Sequence, residues 1–155
     1  MGFREIFRAF LDGGKTDIFA RYEILREAVS GTMSKFYKAR DRSTDQVVGL
    51  KILDKEKTTS LESRFRGLDK PSEGEIAVSL HHPRIVETFG HGTTTRGEPY
   101  LVMEFLDGLG LNSLIIGRHA ELDGNRLTLL RQAAEALAKS SPIGGKDGPK
   151  PGEGP

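Results

Sequence analysis

Two strand-like segments joined by a short polar turn place the strongest constraint on how this chain can fold. Residues 34–42 (SKFYKARDR) and 46–53 (QVVGLKIL) both have the composition of a β-strand, and residues 43–45 (STD) supply a polar turn between them. Two strands linked by so short a turn pair as an antiparallel hairpin. The hairpin therefore predicts a domain that contains an antiparallel sheet.

Further strands and helices are predicted on both sides of this hairpin. The other strands are expected at residues 19–26, 84–89 and 99–106. Helices are expected at residues 71–80, 111–116 and 125–138, and the charged stretch 54–70 has helical tendency. For the first of these helices, Pro71 suits the first turn and Asp69 is a candidate cap. The predicted fold is α+β, a five-stranded, mainly antiparallel sheet that carries one helix and is followed by two helices.

Four regions of different character divide the chain. Residues 1–18 form a predicted amphipathic extension, because Phe3, Phe7 and Phe10 recur at helical spacing. Residues 19–106 hold the sheet, and residues 107–138 begin at a hinge-like Asp-Gly and contain the two later helices. Residues 139–155 are rich in Gly and Pro, a composition that predicts a disordered tail.

Composition excludes several classes of function. Lys plus Arg number 23 and Asp plus Glu 22, so the net charge of +1 gives no general attraction to nucleic acid or membrane. The chain has no cysteine, which excludes disulfides and cysteine-ligated metal. No apolar run approaches the roughly 18 residues of a membrane span, and charges at Arg4, Glu5 and Arg8 do not suit a signal peptide. A cytoplasmic protein without a nucleic-acid partner is predicted.

One segment resembles a phosphate-binding loop but lacks the first glycine of that motif. Residues 13–16 (GGKT) match the end of the Walker loop, Gly-x-x-x-x-Gly-Lys-Thr. The first glycine of that loop would fall at Ala9, and the preceding residues have a helical rather than a strand pattern. We therefore do not interpret Lys15 and Thr16 as a phosphate loop.

Four other segments carry candidate chemistry and occur in a recognisable order. They are residues 29–36 (VSGTMSKF), 48–51 (VGLK), 73–83 (EGEIAVSLHHP) and 100–108 (YLVMEFLDG). In this order they resemble the ATP-binding N-lobe and the start of the C-lobe of Ser/Thr protein kinases, most closely the bacterial ones. The resemblance covers roughly residues 19–138, and no single motif decides it.

The resemblance implies a role in ATP binding for two charged residues. Lys51 matches the strand lysine that holds the α and β phosphates of ATP in this family. Glu73, ten residues before Pro83, matches the helix glutamate that forms an ion pair with that lysine. Glu75 is a competing candidate, although it would shift the apolar positions that follow. The neighbouring histidines, His81 and His82, are interpreted as structural rather than as metal ligands.

The resemblance also implies an adenine pocket and a glycine loop that has lost most of its glycines. The implied ATP-binding residues are Val29, Gly31, Ser34, Phe36, Gly49, Lys51, Met103, Glu104 and Leu106. Met103 would lie at the back of the pocket, with backbone groups of Glu104 and Leu106 facing the adenine edge. Of the family's three loop glycines only Gly31 is present, and Phe36 replaces the valine that covers adenine. Weak ATP binding is expected.

The motifs that complete kinase chemistry are absent from these residues. Neither a His-Arg-Asp nor an Asp-Phe-Gly sequence occurs, so the family's catalytic base and magnesium ligands are missing and no metal ligand is predicted. The expectation is a kinase fragment, cut or shifted out of frame near codon 139, that does not transfer phosphate. A non-catalytic kinase-like module that binds a protein partner, and an unrelated α+β domain, remain as alternatives. Neither the substrate protein nor the activating signal can be inferred.

Overall fold

The computed structural model describes residues 15–63 and 71–140, which form two compact units. The first unit contains the described residues up to His81 together with Val86–Asp107. The second contains His82–Ile85 together with the described residues from Gly108 onward. The predicted amphipathic segment at the start, the candidate cap Asp69 and the predicted disordered tail beyond residue 140 lie outside the described residues.

A six-stranded sheet forms the framework of the first unit, within the described residues. Its strands are β1 (Lys15–Thr16), β2 (Tyr22–Ser30), β3 (Ser34–Asp41), β4 (Gln46–Leu53), β5 (Thr88–Thr94) and β6 (Pro99–Glu104). Their spatial order is β1-β5-β6-β4-β3-β2, and all neighbours are antiparallel except β1 and β5. The predicted mainly antiparallel α+β fold is confirmed. The sheet has six strands instead of five because Lys15 and Thr16 pair with Thr93 and Thr94.

Helices accompany the sheet in the first unit and make up the regular structure of the second. The first unit has α1 (Ile18–Arg21), α2 (Lys55–Ser63) and α3 (Glu73–Ser79). The second unit has α4 (Leu111–Ile116), a 3-10 helix (Ala120–Leu122) and α5 (Arg126–Ser140). The two helices predicted at residues 111–116 and 125–138 are thus present, with their ends displaced by two residues at most.

The core of the first unit lies on one face of the sheet. Val48 and Leu50 of β4 are fully buried, together with Ala39 of β3 and Val102 of β6. Successive side chains of a strand point to opposite faces, so the residues that alternate with these two in β4 face away from the core. Gly49 and Lys51 therefore lie on the other face of the sheet.

The start of the sheet differs from the sequence expectation. The strand predicted to begin at Phe19 begins at Tyr22, because residues 18–21 form a helical turn. Asp17 caps that turn, since its Oδ1 accepts hydrogen bonds from the backbone N–H groups of Phe19 and Ala20 at 3.1 Å each. Ile18 of the same turn is buried in the core of the first unit.

The strand predicted at residues 84–89 is also displaced. It begins at Thr88 and continues to Thr94, into the interval between the two predicted strands. Pairing with β6 places Thr93 opposite Pro99, and Thr94 N–H donates to Glu98 O at 2.8 Å. The reversal is consequently tighter than predicted and uses Gly97 at φ 79°. At its other end β6 stops at Glu104 rather than at residue 106.

The second unit contains a polar contact and an exposed apolar surface. His82 Nδ1 accepts the Arg84 N–H at 3.2 Å, which fits a structural role in the turn. Arg84 Nη1 contacts Glu135 Oε2 of α5 at 2.5 Å. Three leucines of α5 are largely exposed, Leu127, Leu130 and Leu137. Ala136 of the same helix is buried.

A buried carboxylate ties α1 to the β3–β4 turn. Asp41 is fully buried, and its Oδ2 accepts a hydrogen bond from Arg21 Nη2 at 3.2 Å. Its Oδ1 accepts from the backbone N–H and the hydroxyl of Ser43, at 2.9 and 2.6 Å. Removing one partner of a buried ion pair leaves the other charge poorly compensated, which is strongly destabilising.

We predict that Asp41→Ala lowers the free energy of unfolding by about 3 kcal/mol, because the largely buried Arg21 loses this partner. The control is Glu23→Ala, which removes a half-exposed ion pair with Arg40 in the same sheet and should cost less than about 1 kcal/mol. Chemical denaturation of both variants measures the difference. Equal effects of the two substitutions would contradict a structural role for the Asp41 cluster.

Candidate functional site

Strand register brings five of the predicted site residues onto one face of the sheet. Val29 pairs with Phe36, Phe36 with Lys51, and Gly49 with Met103. Directly opposed residues in antiparallel strands share a face, and Gly49 and Lys51, two residues apart, also share one. We call this surface, defined by these five residues, the Lys51 face. It is opposite to the face that carries the core.

A short ion pair joins the Lys51 face to α3. Lys51 Nζ lies 2.6 Å from Glu73 Oε1, with exposed side-chain fractions of 30% and 54%. An ion pair this accessible to water adds little to folding stability. Its main effect is to fix the direction in which the Lys51 ammonium points.

A capping box explains why Glu73, and not Glu75, meets Lys51. Ser72 is the N-cap of α3, and its hydroxyl accepts the Glu75 N–H at 3.2 Å. In return the Ser72 N–H donates to Glu75 Oε2 at 2.7 Å, and this bond holds the pKa of the Glu75 carboxyl below its usual range. The helix therefore begins at residue 73, after Pro71, rather than at the proline. The Ser-x-x-Glu signature of residues 72–75 is the sequence signal for this helix start.

A glycine lets α3 lie unusually close to the sheet. Gly74 is the buried residue of α3, and a Cβ atom added there would lie 2.5 Å from Cγ of His91 in β5. Real Cβ atoms do not approach other atoms that closely, so any larger residue would push the helix away. A glycine within a helix is the available sequence signal for such packing. This contact sets the distance between α3 and the sheet and so helps Glu73 reach Lys51.

The segment after β6 is held by a cationic and aromatic cluster that the sequence did not reveal. Arg26 and Lys38 both lie over the ring of Phe105, at 5.6 and 4.8 Å from its centroid. The same two cations contact the carboxylate of Asp107 at 3.3 and 3.1 Å. These partners are 81 and 69 residues apart, so no local pattern connects them. Leu106, which lies between Phe105 and Asp107 in the sequence, is 63% exposed.

The loop between β2 and β3 is tied down at several backbone groups. Gly31 N–H donates to Ser34 O at 2.9 Å, and Asp54 N–H donates to Met33 O at 2.9 Å. Lys57 of α2 donates its ammonium to Thr32 O. Gly31 is not among the described glycines with positive φ, so its backbone has a conformation that other residues can also adopt.

The described residues offer no set of metal ligands. Within 15–63 and 71–140, no group of three or more His, Cys, Asp or Glu side chains lies close enough to hold an ion. We accordingly assign no magnesium ligand to this part of the chain. In the same residues no helix has both the length and the apolar character needed to cross a membrane.

We predict that Gly74→Ala destabilises the protein by about 1–3 kcal/mol, because its methyl group would overlap the His91 ring. In a His91→Gly background, which also removes the His91 Cβ at 2.7 Å, the same change should be neutral or stabilising, since alanine is the better helix former. Thermal unfolding of the four proteins of this double-mutant cycle provides the measurement. An equal cost in both backgrounds would show that the ring does not set the position of α3.

The chain is similar to protein kinases in both sequence and structure. No protein-family model matches the chain. The chain is 32% identical over 123 residues to the serine/threonine-protein kinase PrkC of Bacillus subtilis, covering 78% of this chain and 18% of PrkC. Its structure is similar to the Mycobacterium tuberculosis PknI kinase domain, with TM-score 0.63, 25% identity, and 84% of this chain and 50% of that one covered. For Rad53 1–466 in complex with AMP-PNP the TM-score is 0.59 and the identity 28%, over 80% and 31% of the two chains.

The chain thus spans 18% of the length of PrkC and 50% of the PknI kinase domain. The likeness to bacterial Ser/Thr kinases holds in both sequence and fold. The chain belongs to the protein kinase family, as a partial kinase domain related to the bacterial Ser/Thr kinases.

Proposed function

We propose that the Lys51 face binds the phosphates of ATP and that the chain is the nucleotide-binding part of a Ser/Thr protein kinase. The activity proposed for the whole kinase is transfer of the ATP γ-phosphate to Ser or Thr of a protein. One observation carries the proposal, the 2.6 Å pair of Lys51 and Glu73 on the same sheet face as Gly49 and Met103. The kinase relatives support it.

The chemistry of the pair suits a polyphosphate. An ammonium group is a compact positive charge that neutralises phosphate oxygens and can donate three hydrogen bonds. Glu73 restrains that charge, and the 30% exposure of Lys51 leaves it accessible to a ligand from solvent. The site requires no displacement of β4, because Lys51 already faces away from the core.

We propose that the base of the nucleotide lies at the end of β6. The Glu104 carbonyl and the Leu106 N–H would face the adenine edge, with Met103 behind it. The remaining predicted residues, Val29, Gly31, Ser34 and Phe36, would border the site from β2, β3 and their loop. The Rad53 structure was solved with AMP-PNP, which supports a nucleotide site in a related fold.

The proposal separates nucleotide binding from catalysis. Neither a His-Arg-Asp nor an Asp-Phe-Gly sequence occurs in these 155 residues, and the described ones provide no carboxylate cluster for magnesium. Phosphoryl transfer depends on positioning and on charge neutralisation by metal ions. We therefore propose that these residues bind ATP without transferring its phosphate. The proposed location is the cytoplasm, where ATP and protein substrates meet.

We further propose a division of roles along the chain. Residues 19–106, together with the core and strand residues 15–18, form the kinase N-lobe. Residues 107–138 provide the hinge and the first helices of the C-lobe. The proposed partners are ATP and a protein substrate, and no nucleic-acid partner is proposed.

We predict that the chain binds ATP with a dissociation constant of about 0.1 mM or weaker, because contacts to phosphate in water yield only a few kcal/mol. Lys51→Met should weaken this binding at least about tenfold, through loss of the ammonium. The matched control is Lys35→Met, since Lys35 pairs with Ile52 of β4 and so lies on the opposite face. Isothermal titration with and without magnesium measures all three proteins.

Two results would contradict the proposed function. One is an unchanged affinity in the Lys51→Met protein, which would place the nucleotide elsewhere. The other is low-micromolar, magnesium-dependent binding by the wild-type chain, which would require metal ligands that the described residues lack. Incubation with magnesium and radiolabelled ATP should leave a mixed protein substrate unlabelled.

A further inference from the structure

The ring of Phe36 packs directly against the backbone of Gly49 on the Lys51 face. A Cβ atom added to Gly49 would lie 2.7 Å from Cζ and 3.0 Å from Cε2 of that ring. The tip of the ring therefore occupies the space that the side chain of any other residue at position 49 would need. Phe36 and Gly49 are a matched pair, in which the glycine creates the room that the ring fills.

The end of β6 and the residue after it, Glu104 and Phe105, lie beside the ring. The Glu104 carbonyl oxygen lies 3.2 Å from the same point above Gly49, so ring and carbonyl border one small space. Phe36 also stacks on Phe105, with centroids 6.2 Å apart and planes 13° from parallel. An aromatic ring thus fills the gap between the backbone of β4 and the segment proposed to meet the adenine edge.

The far side of this gap is fixed. Lys38 and Arg26 lie over the Phe105 ring and bind the Asp107 carboxylate, so Phe105 is held from β2 and β3. Gly49 is held in the central strand of the sheet. Phe36 can leave by rotating its side chain without a break in strand pairing, whereas rotation of the Phe105 ring would cost it its contacts with Arg26 and Lys38.

We propose that Phe36 is a plug that closes the base end of the nucleotide site. This inference rests on the proposed function, and it assigns to Phe36 control over whether a purine ring can enter. A purine and a phenyl ring are both flat and apolar, and they compete for the same slot beside Glu104. Binding of the base requires the Phe36 ring to turn away from Gly49. The measured affinity is then the affinity of the open state reduced by the open fraction.

The plug acts on the base and not on the phosphates. Lys51 lies on the same sheet face, yet its ammonium is directed toward Glu73 of α3 rather than toward the ring. A ligand with phosphates but no base should consequently be indifferent to Phe36. Inorganic tripolyphosphate is such a ligand, and comparison with ATP separates the two ends of the site.

The test is titration of the 155-residue chain with ATP and with tripolyphosphate. Phe36→Val should bind ATP about tenfold more tightly than wild type, the gain expected if the ring is open in about one molecule in ten. Its affinity for tripolyphosphate should be unchanged. The matched control is Phe19→Val, which truncates an exposed phenylalanine of α1 and should behave as wild type toward both ligands.

A second set of variants tests the contact itself. Gly49→Ala should lower the midpoint of thermal unfolding by about 5 °C in the wild-type background, because the methyl group meets the ring. In the Phe36→Val background the same change should cost less, the remainder coming from the 3.2 Å approach of the methyl group to the Glu104 carbonyl oxygen. Phe36→Leu, which keeps an apolar side chain without a flat ring, replaces Phe36→Val in both experiments if the valine protein does not fold.

The outcomes distinguish this inference from the proposed function. Wild-type protein that binds neither ligand contradicts the proposed function, and loss of tripolyphosphate binding in Lys51→Met supports it. The plug is overturned if removal of the Phe36 ring fails to tighten ATP binding, including the case in which ATP binds more weakly because the ring is a stacking platform. It is also overturned if Gly49→Ala has the same cost in both backgrounds.

Discussion

The alternation of side chains along β4 is the constraint on which the rest of the structure depends. Val48 and Leu50 are fully buried in the core, which fixes the register of the central strand against β3 and β6. A slip of one residue would expose both and turn Lys51 inward. Because the hydrophobic requirement decides the register, it also decides that Gly49 and Lys51 face the opposite side. The candidate site is thus a consequence of how the core packs.

The position of α3 brings Glu73 to Lys51 and so fixes the direction of the Lys51 ammonium group. The ion pair of Lys51 and Glu73 is partly exposed and cannot by itself hold a helix in place. The approach of Gly74 to His91 sets how close the helix lies to β5, while the capping box at Ser72 fixes where it begins. The ion pair forms because the helix lies in this position, and a shift of α3 would separate the charges of Lys51 and Glu73.

Sequence reasoning succeeded where the signal was local. The hairpin of β3 and β4 followed from its polar turn. Glu73, which the resemblance implied as the partner of Lys51, lies 2.6 Å from it. It failed where pairing between distant segments decides the structure, as in the parallel contact of Lys15 with Thr93. The cluster around Phe105 likewise joins residues far apart in the chain. Phe36 and Gly49 were both noticed, but their contact emerges only from strand register.

The central claim, that the Lys51 face binds nucleotide and that Phe36 must move to admit the base, is tested most directly by a crystal structure of the chain with AMP-PNP. The predicted result places a phosphate oxygen about 3 Å from Lys51 Nζ, within ordinary hydrogen-bond distance. It also places the base beside the Glu104 carbonyl, with the Phe36 ring rotated off Gly49. Phosphates bound away from Lys51, or a base seated in that space while the ring remains on Gly49, would contradict the account.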